Sequence, residues 1–130
     1  MLLTAARRAY LDELHYAVIA TVNADNSIQQ TVVWYVLDDS DEIRFSVGAN
    51  SVKVRNLVRN PTISVMIADG KRYLTLQGQA TVETFDPDLR RRLALRYLGP
   101  EGAEVWLQRR PDAPRMSVRV RLEKAYGQGV

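Results

Sequence analysis

From Tyr73 to Val82 the chain alternates without interruption, Leu74, Leu76, Gly78, Ala80 and Val82 falling on one side and Tyr73, Thr75, Gln77, Gln79 and Thr81 on the other. A period of two over ten residues fits a pleated strand with one buried face and cannot be laid on a helix. Asp69-Gly70 in front of it is a hairpin signal, with Thr62 to Ala68 as the preceding strand. The same alternation returns at Ile43, Phe45 and Val47, and at Met116, Val118, Val120 and Leu122, whose neighbours Ser117, Arg119, Arg121 and Glu123 face outward. Residues 16 to 22 and Ile28 to Leu37 complete six strands, the second of these being apolar or amphipathic on both faces and therefore in need of cover on two sides. Many strands with antiparallel-style alternation predict a mainly β (α+β) domain, a six-stranded antiparallel barrel, closed or nearly so, with flanking helices.

The helices are read from caps and stops. Residues 4 to 14 form the first, with Thr4 as cap and Ala6, Ala9, Tyr10 and Leu14 on one side. The second, 51 to 59, buries Val54, Leu57 and Val58 and stops at Asn60-Pro61, because proline cannot continue the hydrogen-bond ladder. Asp86 caps a third, carrying Leu89, Leu93, Ala94 and Tyr97 and ended by Gly99-Pro100; a short helical stretch follows around Ala103 to Gln108. With 130 residues, no repeat and no linker, the chain is expected to be one domain spanning 1–130.

Composition removes whole classes of chemistry. There is no cysteine, hence no disulfide, thiolate nucleophile or Cys-based metal site, and His15 is the only histidine, so no His-rich metal centre is expected. His15 lies between the first helix and first strand and reads as structural. No apolar run is long enough to span a bilayer and no signal segment is evident, so a cytoplasmic, soluble protein without a membrane partner is expected. The net charge of +3 favours anionic partners. Arg90-Arg91-Arg92 and Arg109-Arg110 are the densest basic clusters, and the first reads as a solvated helix face.

One segment points to a ligand. Phe45 to Leu57 runs from a strand through a loop containing Gly48 into a capped basic helix. Ser46 and Ser51 supply hydroxyls, the loop and helix start supply backbone N–H groups, and Lys53 and Arg55 supply full charges, which together suit a phosphate. An ammonium at a helix N-terminus is electrostatically awkward unless an anion bridges the two. No acid–base pair is evident, and no catalytic residue is assigned.

In chain order, Ala17-Val18-Ile19-Ala20-Thr21-Val22-Asn23, Gln30-Thr31-Val32-Val33-Trp34-Tyr35, Phe45-Ser46 leading to Lys53-Val54-Arg55-Asn56-Leu57, Asn60-Pro61, Arg72-Tyr73-Leu74 with Gly78, and Arg96-Tyr97-Leu98-Gly99 resemble the pyridoxamine 5'-phosphate oxidase-like split β-barrel superfamily. Within it they are most similar to the small oxidoreductases that use coenzyme F420, a deazaflavin. The resemblance implies a homodimer with cofactor sites at the interface, a flavin-type ring as the hydride carrier and a small-molecule substrate. It also implies cofactor-binding roles for Ser51 and Lys53 at the phosphate, Ser46 and Val47 at the neighbouring strand end, Gln30, Thr31, Val32 and Val33 along the ring, and Tyr73 and Trp106 as contacts from the partner protomer. The C-terminal Arg-x-His element of the vitamin-synthesising oxidases has no counterpart in Arg121-Leu122-Glu123-Lys124-Ala125-Tyr126-Gly127. Riboflavin monophosphate (FMN) presents a similar ring and phosphate and stands as the alternative cofactor. Two other readings are a non-catalytic cofactor or haem carrier, for which histidine is scarce, and a nucleic-acid barrel, for which Tyr73 lacks the row of aromatic and basic neighbours that base stacking needs. No nucleic-acid partner is therefore expected.

Overall fold

The computed structural model describes residues 2–109 and 114–130. Its elements in order are α1 (Ala5–Asp12), β1 (Ala17–Val22), β2 (Ile28–Val33), β3 (Val36–Leu37), β4 (Ile43–Gly48), α2 (Val52–Arg59), β5 (Thr62–Asp69), β6 (Arg72–Glu83), α3 (Pro87–Gln108) and β7 (Arg115–Gln128). The seven strands form one antiparallel sheet in the order β2-β1-β5-β6-β7-β4-β3. Its two edge strands, β2 and β3, are consecutive in sequence with only Trp34 and Tyr35 between them. A sheet whose opposite edges are tied by two residues must curl through nearly a full turn, and the result is a barrel split along the line where β2 passes into β3.

Seven strands replace the expected six because Ile28 to Leu37 is not continuous. At Tyr35 the backbone N–H donates to the Tyr97 hydroxyl at 3.1 Å, and the Tyr35 hydroxyl donates to the Leu11 carbonyl at 2.7 Å. The backbone leaves the ladder there because the Tyr97 hydroxyl meets both the N–H and the carbonyl of Tyr35 instead.

Inside the barrel lie Ile19, Phe45, Val47, Val65, Ile67, Leu74, Leu76, Val118 and Val120, all buried. α1 closes one end with Tyr10 and Leu11, the Tyr10 hydroxyl donating to the Ile67 carbonyl at 3.0 Å. Leu14, expected on the apolar side, is exposed, since α1 ends at Asp12 and Arg96 collects the carbonyls of Leu11, Asp12 and Glu13. α2 packs with Val54 and Leu57 inward. Val58 is 71 % exposed, and Asn56 is the third inward residue, donating to Thr21 Oγ1 at 3.0 Å and Asn23 Oδ1 at 2.8 Å.

α3 is two helical rods. Gly99 has φ 74° and ψ 173°, outside the helical region, and Pro100 starts the second rod. The first rod buries Leu89 and Leu93 against Val36, with Trp34 and Tyr97 at the margin. β6 and β7 slip register between Gln77 and Gly78, so that Leu122 and, beyond the slip, Ala125 both reach the core although their spacing is odd. Gly78 is required at this bulge, since a Cβ there would lie 2.0 Å from the Arg121 carbonyl oxygen. Among the described residues no helix is long and apolar enough to cross a membrane.

Candidate functional site

A cavity of about 240 Å³ opens at the split of the barrel, lined by Val32, Val33, Trp34, Ser46, Val47, Gly48, Lys53, Arg90, Leu93, Trp106 and Arg115. Five elements meet there for topological reasons. β2 ends at Val33 and delivers Trp34 at the crossing, β4 ends at Gly48, Ser51 caps α2 so that Lys53 stands in its first turn, the first rod of α3 supplies Arg90 and Leu93, the second supplies Trp106, and β7 begins at Arg115 opposite Gly48.

The polar end is cationic. Arg115 Nε donates to Ser46 Oγ at 3.1 Å. Partial burial lowers the Lys53 ammonium from its ordinary pKa, and the Arg115 charge lowers it further. Arg115 is lowered in the same way, by burial first and by Arg90 second. Three cations that desolvate and repel one another, with no carboxylate among the described lining residues, gain stability when an anion joins them. Beside the cations the lining is apolar and aromatic. Trp34 lies parallel to Tyr97 with ring centroids 5.0 Å apart, and Trp106 is tilted against Trp34 at 5.6 Å. The Arg90 guanidinium covers the Trp106 ring at 4.4 Å. A ligand that combines a phosphate with a planar ring fits this donor set.

Of the residues expected from sequence, Val32, Val33, Ser46, Val47, Lys53 and Trp106 line this cavity. Trp106 does so within its own chain. Ser51 stands outside the lining, its hydroxyl accepting the Val54 N–H at 3.4 Å as the cap of α2. Gln30 is exposed and lies with Ile28 and Val32 on the outer face of β2. Thr31 is on the inner face, where its Oγ1 and the Gln29 Oε1 are buried without a partner. Tyr73 pairs with Gln128 at the far end of β7 from Arg115 and does not reach the cavity within one chain. Arg55 and Arg59 turn away, donating to the carbonyls of Asn50 and Val22.

Sequence reasoning passed over Trp34, Arg90 and Arg115. Arg90 sat in a basic run that reads as solvated, and Arg115 opens the last strand with nothing local to mark it. The cross-strand pairing of Gly48 with Arg115 is what makes them one site. Another cluster of ionisable groups, Glu13, His15 and Asp69, is occupied by the Arg72 guanidinium, which donates to Glu13 at 2.9 Å and Asp69 at 2.5 Å. The hydrogen bond from Arg72 holds the Glu13 carboxyl below the usual range. His15 lies 4.6 Å from the Tyr10 ring and 3.2 Å from Glu13.

Comparison with known proteins agrees with this architecture. The chain is 32 % identical over 120 residues to an F420H(2)-dependent biliverdin reductase of Mycobacterium tuberculosis, covering 92 % of this chain and 83 % of that protein. A solved F420 reductase superposes with a TM-score of 0.80 at 26 % identity, over 95 % of this chain and 98 % of that one. A conserved hypothetical protein of Mycobacterium tuberculosis shares the fold, with a TM-score of 0.79 at 23 % identity over 98 % and 85 % of the two chains. The family model for pyridoxamine 5'-phosphate oxidase matches residues 3–129, and the chain belongs to that family.

Proposed function

We propose that this protein is an oxidoreductase that binds coenzyme F420 in the cavity at the split of its barrel and reduces a small conjugated organic substrate with it. The observation that carries the reading is that Lys53, Arg90 and Arg115 line one cavity together with Trp34 and Trp106. The similarity to an F420H(2)-dependent biliverdin reductase supports the choice of coenzyme and makes a linear tetrapyrrole the first substrate to try.

When bound, the deazaflavin supplies the hydride. The chain's own residues bind and orient it. Lys53, Arg115 and the Ser46 hydroxyl would hold the phosphate, and the apolar walls Val33, Leu93 and Trp106 would exclude water from the ring. β2 is an edge strand, so alternate residues present N–H and C=O groups that no neighbouring strand takes up, and these are available to the ring's polar edge.

A cavity of about 240 Å³ is below the roughly 300–1,000 Å³ usual for a ligand of this size. A second copy of the chain supplying the missing wall accounts for the difference. Ile28 and Val32, 60 % and 63 % exposed on the outer face of β2, and Met66, 38 % exposed two strands away, give that copy an apolar surface to dock on.

Fluorescence titration of the purified protein with coenzyme F420 and, separately, with FMN tests the assignment. Tight binding of the deazaflavin and weak binding of FMN is the expected result. Preference for FMN would make the protein a flavoprotein of the same family, and binding of neither would remove the reading.

A further inference from the structure

Trp106 is carried on the second rod of α3, which is joined to the first by the non-helical Gly99. Little else holds that rod. Ala103 is its one fully buried residue among those described, while Glu101, Glu104 and Val105 are exposed. The rod folds back on the first, and one side chain spans the two. Arg90, in the first turn of the first rod, lies over the Trp106 ring at 4.4 Å and donates through Nη2 to the carbonyl of Arg109, which caps the second rod, at 3.2 Å. A guanidinium on the last carbonyls of a helix is favoured by the helix dipole as well. Among the described residues the contacts of the Arg90 guanidinium are the ring, this carbonyl and the cavity.

We infer that Arg90 is a positioning residue, a catch that holds Trp106 in place as a wall of the cavity, with Gly99 as the hinge about which that wall is carried. The consequence for coenzyme binding rests on the function proposed above; the catch itself does not. A positive φ at glycine lets the joint move without the steric cost a side chain would add, and short segments that absorb a change in φ and ψ are the usual hinges. Both contacts need the planar, forked guanidinium. An ammonium keeps the charge but cannot lie flat on the indole while it donates.

The chain has two tryptophans, so a Trp34→Phe background leaves Trp106 as the sole indole emitter. In that full-length background, without any cofactor, Arg90→Gln and Arg90→Lys are each expected to raise acrylamide quenching of Trp106 about twofold, with the thermal midpoint shown separately to be retained. Unchanged quenching in Arg90→Gln overturns the catch. Wild-type quenching in Arg90→Lys overturns it too, because charge alone would then suffice. A readout in the Trp34-containing chain guards against disturbance by the background: Arg90→Lys, which keeps the charge at the cavity, is expected to raise the Kd for coenzyme F420 several-fold. Released Trp106 in a protein that binds no coenzyme would leave the catch standing and sink the functional proposal, so the two fail separately.

Discussion

Lys53 is destabilised where it stands, and the pH dependence follows from that. Its folded pKa is lowered, by burial first and Arg115 second, below the unfolded 10.5. Between the two values the unfolded chain binds more protons than the folded one, so stability rises as pH climbs through that window and the cost of the buried ammonium is present in full below it. Anion affinity at the proposed site is expected to run the other way, because the same rise removes one of its positive charges. Chemical denaturation and phosphate-ester titration, each across the alkaline range, are expected to show these opposite slopes. Lys53→Met is expected to abolish Lys53's share of both and to raise the melting temperature of the ligand-free protein. Lys53→Ala is expected to weaken binding of the coenzyme by about 1.5–3 kcal/mol, the scale of a charge-assisted hydrogen bond. An unchanged Kd would take the phosphate away from this residue.

At the scale of elements, the site depends on two joints. Asp86 caps α3, accepting from the N–H groups of Asp88 and Leu89 at 3.0 and 3.3 Å, and Arg44 of β4 donates to its other oxygen at 3.0 Å. One carboxylate thus fixes both the start of the helix that bears Arg90 and its position on the sheet. Burial opposes ionisation of Asp86, yet the Arg44 and backbone hydrogen bonds leave its pKa lowered. Asp86→Ala is expected to cost about 1–2 kcal/mol of stability in urea titration, the upper part of the range for a lost cap. The second joint is the β6–β7 bulge. Gly78→Ala forces a Cβ onto the Arg121 carbonyl, which is backbone and cannot swing aside, so a loss of about 3 kcal/mol is expected, visible as a lower urea midpoint. A stability within experimental error of wild type would show that the bulge is not fixed by that contact.

For the whole molecule, the open question is the second copy. β2 is an edge strand with Ile28 and Val32 outward, and in the register Val32 lies beside Val18 and Val18 beside Met66, so the apolar residues run across three strands. Sedimentation equilibrium is expected to give a dimer. Ile28→Asp, which places a charge on the same outer face away from the cavity lining, is expected to shift it to monomer and to weaken coenzyme binding in parallel. A monomeric variant with full affinity would show that one chain completes the cavity.

Most of the strands, the β5–β6 hairpin, the caps at Thr4, Ser51 and Asp86 and the break at Gly99 were legible in the sequence, because each depends on residues within a few positions of one another. The alternation of Leu74 to Val82 and the turn at Asp69-Gly70 leave local physics little choice. What spans the barrel was not legible. Arg115 stands some sixty residues from Lys53 and joins it through the pairing of β4 with β7; Arg90 becomes part of the cavity because the first rod of α3 packs against Val36, and Trp106 because the second rod turns back after Gly99; and the break between β2 and β3 arises from Tyr97, far away in the chain. Val58 and Leu14 have the right spacing for burial and are exposed, since a helix's period places residues on a face without saying how much of that face the neighbours cover. Periodicity and capping are short-range and are written in the sequence. Which charges meet across the barrel depends on curvature and register summed over the whole sheet, and only the tertiary structure decides that.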